Sequence, residues 1–332
     1  MRSKWLLALA AAAFIGQAQA QEAPVPALVY DLGGKFDKSF NEAAYNGAER
    51  FKAETGIEYR EFEIQNESQR EQALRNFARR GYSPIIAMSF SQEEPLKKVA
   101  AEYPDVKFVI IDAVVDLPNV RSVVFKEQEG SYLVGMLAAM ASETGKIGFV
   151  GGMDIPLIRK FACGYVEGAK AANPDIEIFQ NMTGDTGAAW NDPVKGGELA
   201  RSQMERGADV IYHAAGGTGM GVLQATADEG KLGIGVDSNQ NHLHPGKVLT
   251  SMLKRVDNAV YMAFKDVHED NWTAGTQNLG LAEEGVGWAL DDNNKSLITP
   301  EMQAKVEEAS AKIASGELAV HDYMEDNSCP QS

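Results

Sequence analysis

From residue 27 onward, short apolar runs alternate with amphipathic stretches in a βαβα rhythm, and at Lys146 the rhythm starts again. No other property of the chain restricts its fold as much. Strands are expected over 27–30, 59–64, 84–88, 107–111 and 122–125, with helices such as 42–55 and 68–80 between them. The second series places strands over 146–150, 175–180, 210–214 and 233–236. A strand over 248–253, a helix over 255–271, a strand pair within 280–290 and a helix after Pro300 complete the pattern. Strands that alternate with helices form parallel sheets covered on both faces, and such sheets bind ligands beyond the carboxyl ends of their strands. Two similar halves, with a late segment able to return to the first, point to an α/β receptor of two hinged lobes. Tandem independent domains are the alternative.

The stretch YDLGGKFDKSFN, residues 30–41, is a strand end, a glycine turn and a helix start. Gly33 and Gly34 permit a tight turn, and Ser39 or Asn41 is expected to begin the helix. Asp31, Phe40 and Asn41 would then face a cleft, although an ordinary strand-to-helix turn with a buried Phe explains the same residues. Similar punctuation follows other expected strands. Asp112 ends KFVIID, Gly151 and Gly152 follow IGFV, Gly216 and Gly217 open GGTGMG after VIYHAA, Asp237 follows GIGV, and Lys254 follows VLTSML. Trp190 stands in the polar, glycine-rich segment GDTGAAWNDPVKGGE, as either a binding aromatic or a packed loop residue.

Several chemistries find little support. GGTGMG lacks the GxGxxG spacing of a dinucleotide cradle, so no cofactor is expected. His242 and His244 have no third ligand at a familiar spacing, and Glu283 and Glu284 are more simply a solvated face. No GxSxG, HExxH or Cys/His nucleophile pattern occurs, so the chain is not expected to be an enzyme.

Arg2 and Lys4, an apolar core over 5–15 and Ala18-Gln19-Ala20 form a secretory signal peptide over residues 1–20. Cleavage would leave Gln21, which cannot carry the acyl anchor of a lipoprotein, so a freely diffusing periplasmic protein is expected. Losing Arg2 and Lys4 from the 31 basic residues leaves the 47 acids in excess, a net charge of about −18. Nucleic acid and anionic membrane surfaces are therefore poor partners. About 312 residues remain, more than one ordinary core, so two domains are natural. Cys163 and Cys329 are the only two cysteines. They either staple the tail to the body or leave a buried free thiol at Cys163.

Taken together, DLGGKFDKSFN, FVIID (108–112), FKEQEGSYLVG (125–135), IGFVGGMDIPLIRKF (147–161), HAAGGTGMG (213–221) and GVDSNQ (235–240) resemble the basic membrane protein family. This family comprises ABC-importer solute-binding components of the purine nucleoside receptor type, and the resemblance runs from Ala27 to Leu290. It implies a type I periplasmic-binding fold with three crossings, near Phe125, Leu249 and Ala282. The lobes would be 27–125 with 250–282, and 126–249 with 283–332. It further implies a purine held between Phe40 and Trp190, the second position usually being Phe. Asp31, Asn41 and Asp112 would read the base edge, while the backbone at Gly216 and Gly217, with Asp237 and Lys254, would lie near the ribose. An ABC permease with its ATPase is the implied partner, and a monomer is expected. A free nucleobase or other flat heterocycle is the nearest alternative ligand, and nucleoside cleavage a more distant alternative function. Many relatives are lipoproteins, and the lack of a lipobox cysteine is a departure from them.

Overall fold

The computed structural model describes residues 24–330; the expected leader lies outside them. The first series of elements runs β1 (Ala27–Tyr30), α1 (Phe40–Thr55), β2 (Arg60–Glu63), α2 (Arg70–Arg79), β3 (Ile85–Ala87), α3 (Glu93–Glu102), β4 (Phe108–Ile111) and β5 (Val120–Phe125). The second runs α4 (Glu127–Ala141), β6 (Lys146–Met153), α5 (Pro156–Ala172), β7 (Glu177–Gly184), α6 (Pro193–Glu205), β8 (Val210–Ala214), α7 (Gly219–Asp228), β9 (Leu232–Asp237) and β10 (Val248–Lys254). Then come α8 (Val256–His268), β11 (Gly275–Leu279), β12 (Val286–Trp288), α9 (Pro300–Ala314) and α10 (Tyr323–Asp326).

Two six-stranded sheets result, ordered β2-β1-β3-β4-β5-β11 and β7-β6-β8-β9-β10-β12. The orders are equivalent, strand for strand. Central strands such as β4, FVII, and β8, VIYHA, are buried throughout because helices cover both sheet faces. The edge strands β2, REFE, and β11, GTQNL, are polar and largely exposed, which discourages pairing with another chain. The first sheet is wholly parallel. In the second, β12 is antiparallel to β10. The chain path explains this difference. β11 ends at the cleft, so after crossing, β12 has to start at the cleft and run away from it.

The chain leaves the first sheet after Phe125, leaves the second after Lys254, and crosses back between β11 and β12. Lys126 N–H donates to Leu279 O at 3.0 Å and Arg255 N–H to Gly285 O at 2.8 Å, so the three crossings lie side by side. Two expectations are corrected here. The crossing placed near Leu249 falls inside β10, which stays paired with β9 through Leu253. Of the strand pair expected within 280–290, only β12 lies in that range; β11 precedes it, in the other sheet, and a crossing separates the two. Periodicity could not show this, because a short hairpin and two strands flanking a hinge produce the same apolar pattern.

One hydrophobic cluster fills the faces that carry α1 and α8 in one lobe and α4, α5 and α9 in the other, and smaller clusters lie under α2 with α3 and under α6 with α7. Close helix contact depends on missing side chains. A Cβ at Gly168 would lie 1.9 Å from the Tyr132 carbonyl oxygen, so α4 and α5 touch backbone to backbone. The tail returns to this pair: Cys163 of α5 is bonded to Cys329, with the Cα atoms 5.5 Å apart.

Candidate functional site

A cavity between the two sheets lies at the carboxyl ends of their strands and is lined from both lobes. It brings together Asp31, Phe40, Asn41, Asp112, Trp190, Gly216, Asp237 and Lys254. Gly217 is not in the lining. It sits behind Trp190, where a Cβ would be 3.3 Å from the Trp190 carbonyl oxygen.

The first-lobe wall begins at the loop after β1. Gly33 and Gly34 adopt φ of 115° and 85°, open only to glycine at low cost. Asn41 draws the loop together: its Oδ1 accepts from Asp31 N–H at 3.3 Å, and its Nδ2 donates to the carbonyls of Asp31 and Gly34, each at 3.2 Å. Asp31 is itself held, accepting from Arg70 at 3.2 Å and from Ser91 Oγ at 2.7 Å. Neither Ser39 nor Asn41 caps α1. Asp37 does so, accepting from the backbone N–H groups of Ser39 at 2.8 Å, Asn41 at 3.0 Å and Glu42 at 3.1 Å. Burial pushes the Asp37 carboxyl up to about 7, against the pull of these donors. Capping from three residues ahead of the helix frees the Ser39 side chain for another partner.

The second-lobe wall is built on glycines and one indole. A Cβ at Gly152 would meet Trp190 Cζ3 at 2.1 Å, so the end of β6 is flat because the ring lies over it. Thr183 and Thr218 fasten the Trp190 turn through hydroxyl bonds to Ala189 O at 3.2 and 2.8 Å. Asp237 closes β9 with φ 62°, and Asp112 follows β4, the equivalent strand, with φ 68°. Each aspartate turns its carboxylate into the cavity from a left-handed backbone position, a conformation that short polar side chains tolerate better than most.

Lys254 joins the walls. Its Nζ is 2.7 Å from Asp112 Oδ2 and 2.9 Å from Glu127 Oε1, with the Phe40 ring centroid at 5.3 Å. Burial works against the ammonium, but Asp112, Glu127 and Asp237 outweigh it and hold its pKa above the usual lysine range. Asp112 is pushed up to about 6 by burial, against Lys254. Asp237 is also raised by burial, against Lys254 and Ser39. Asp112 Oδ1 is buried without a hydrogen-bond partner among the described residues, an arrangement that costs about 1–3 kcal/mol until a donor arrives.

Hydrogen bonds made by buried and part-buried side chains latch the lobes together. Ser39 Oγ donates to Asp237 Oδ2, Ser238 Oγ donates to Ser39 O at 3.0 Å, and Gln240 Nε2 donates to Lys38 O at 2.9 Å. Gln240 is oriented from below. Its Oε1 accepts from Val236 N–H and from His213 Nε2, both at 3.0 Å, which requires the proton on Nε2. His213 Nδ1 is buried without a hydrogen-bond partner among the described residues, and burial lowers the ring to about 4.

Asp37, Ser39, Glu127, His213 and Gln240 were not foreseen. Asp37 lies within the FDKSFN motif and Glu127 just after a strand end, so a signal was present for both. His213 opens HAAGGTGMG and Gln240 ends GVDSNQ, but nothing in the sequence pairs them, since they are 27 residues apart and meet only through β8–β9 pairing. His242 bonds its Nδ1 to the Asn239 carbonyl at 3.1 Å. No cluster of three metal-ligating side chains occurs among the described residues.

Residues 25–323 match the family model described as ABC transporter substrate-binding protein, PnrA-like. The chain is 33% identical over 308 residues to basic membrane protein A of Borreliella afzelii, covering 90% of this chain and 92% of that protein. It is 37% identical over 295 residues to an uncharacterized lipoprotein of Pyrococcus furiosus, covering 83% and 73%. Among solved structures, an ABC transporter system solute-binding protein from Aeropyrum pernix K1 superposes with a TM-score of 0.83 at 32% identity, covering 92% of this chain and 95% of that one. Two equivalent parallel-dominated lobes, three adjacent crossings and a cavity at the strand ends are the architecture of periplasmic solute-binding proteins, and the chain belongs to the PnrA-like, basic membrane protein family of ABC transporter substrate-binding proteins.

Proposed function

We propose that this protein captures a purine nucleoside between its lobes and delivers it to an ABC permease, without chemistry on the ligand. The observation that carries the reading is the pairing of cavity walls: Phe40 and Trp190 come from opposite lobes, and Asp112 and Asp237 come from equivalent strand ends. A planar, neutral heterocycle gains about 1–3 kcal/mol from each aromatic face. The free Oδ1 of Asp112 accepts from a ring N–H or amino group, and Asp237 accepts from vicinal ribose hydroxyls, with Lys254 balancing the charge. Asp31 and Asn41 act one step back from the ligand, because each is already committed to the loop that presents Phe40.

Export by a cleavable leader, release as a freely diffusing monomer and passage to the permease complete the proposal. The Pyrococcus furiosus relative is named a lipoprotein. In this chain the first cysteine of the sequence is Cys163, inside α5 and bonded to Cys329. Titration calorimetry with adenosine, guanosine, inosine and their free bases tests the reading. Micromolar or tighter binding of at least one nucleoside is expected, with loss of the nucleoside-over-base preference in Asp237→Ala. No heat from any nucleoside would sink the assignment. Free base and ribose accumulating over many turnovers, seen by chromatography, would replace it with an enzyme.

A further inference from the structure

A line of alternating buried charge runs from the carboxyl-terminal tail to the cleft. Asp322 Oδ2 is 3.3 Å from Lys160 Nζ, which is 3.1 Å from Glu127 Oε2. Glu127 Oε1 is 2.9 Å from Lys254 Nζ, which is 2.7 Å from Asp112 Oδ2. Lys160, Glu127 and Lys254 are buried, and Lys160 also donates to the carbonyl of Phe125 at the first crossing, at 2.7 Å. Only Asp322 is part-exposed, and it belongs to the tail that the Cys163–Cys329 bond fastens to α5.

We propose that Glu127, Lys160 and Asp322 are positioning residues that set Lys254 against Asp112, so that the disulfide-fastened tail tunes ligand affinity from outside the cleft. The coupling is electrostatic. Glu127 divides its two oxygens between two ammoniums, and its carboxyl is held below the usual range by Lys254 and Lys160 despite burial. If Lys160 is removed, Glu127 has Lys254 alone, and the ammonium is drawn away from Asp112. If Asp322 is removed, Lys160 turns fully to Glu127, and Lys254 shifts toward Asp112. The groups that face Asp112 are Lys254 from the end of β10, Glu127 from the start of α4 and Asp237 from the end of β9. Both substitutions therefore act on Asp112 through Lys254 and Glu127, with opposite signs.

The test is the pH profile of binding. Asp112 accepts more strongly from the ligand when ionised, so affinity is greatest at neutral pH and falls as pH drops through the Asp112 titration. Lys160→Met should raise the pH at which affinity is half lost, by on the order of half a unit, and Asp322→Asn should lower it by less, since Asp322 is part-solvated. Lys160→Arg should restore the wild-type midpoint. Mild reduction of the disulfide, or paired Cys163→Ser and Cys329→Ser changes, should mimic Asp322→Asn. The probes are adenosine, guanosine and inosine, followed by calorimetry across pH. A second readout needs no ligand: the carboxyl carbon-13 titration of Asp112 in the free protein should move in the same directions. Because the proposal rests on the nucleoside reading only for its affinity readout, failure of the wild type to bind any probe would count against that reading alone. Coincident Asp112 titrations in wild type, Asp322→Asn and reduced protein would overturn the positioning role, even if Lys160→Met does not fold.

Discussion

The two walls of the cleft have equivalent strand orders and opposite economies of hydrogen bonding. The first-lobe wall is largely self-sufficient: Asp31 is held by Arg70 and Ser91, Asn41 closes its own loop, and Asp37 caps α1, all within one lobe. The second-lobe wall leans outward, with Asp237 bonded to Ser39, Gln240 to Lys38 and Lys254 to Asp112, each partner lying in the first lobe. Apart from Asp112, the first lobe is thus a finished platform, and the second becomes complete only on closure. Equivalent backbone topology leaves this division open, because the side chains at strand ends decide where the polar partners lie. In a hinged receptor the asymmetry has a use: ligand can settle on the ready wall, and its contacts with the other wall shift the population toward the closed form.

Lys254→Met breaks the comparison most strongly. It leaves Asp112, Glu127 and Asp237 without their shared cation, so unfolding stability should fall by about 3–5 kcal/mol, read by denaturant titration. Next is the histidine under the latch. The folded state holds His213 at about 4 against an ordinary 6.5, so the unfolded chain binds the extra proton first on acidification. The contribution of His213 is therefore complete above pH 6.5 and is lost as pH falls toward 4, about 3 kcal/mol over that window. His213→Gln should lose less stability than wild type on acidification across the same window; equal losses would contradict the buried neutral ring. Phe40→Ala and Trp190→Ala should each weaken nucleoside binding by about 1–3 kcal/mol in calorimetry. If the platform view is right, Trp190→Ala should also speed dissociation more than it slows association, as stopped-flow traces would show. The smallest effect is expected of Ser39→Ala, which removes one latch bond and should cost about 1 kcal/mol of affinity by shifting the hinge toward the open state.

Much of the fold was legible in the chain because buried parallel strands are dense in apolar β-formers and end abruptly at glycine or aspartate. KFVIID, VIYHAAGG and GIGVD all read directly as strands whose next residue faces a ligand cleft. The site was legible at the same places for the same reason. What escaped were residues whose partners are remote in sequence. Gln240 reads as one polar loop residue among several, and only β8–β9 pairing puts His213 beneath it. Lys160 reads as a helix-surface lysine, yet the α4–α5 contact encloses it with Glu127. Ser39 read as a cap because Ser is a frequent cap; Asp37, two residues earlier, took that role and left Ser39 to the other lobe.

By itself, then, the sequence determined that this protein has two α/β halves and which strand ends carry glycine, carboxylate and aromatic side chains, because those properties are local: period, burial and turn chemistry depend on near neighbours. Only the tertiary structure decided that β10 stays in the second sheet through Lys254, that β12 is antiparallel, that the tail is fastened to α5, and that Lys254 lies between Asp112 and Glu127. These depend on where three crossings pass and on charges from distant segments meeting in one buried place, and no local pattern encodes the distance between residues 142 positions apart.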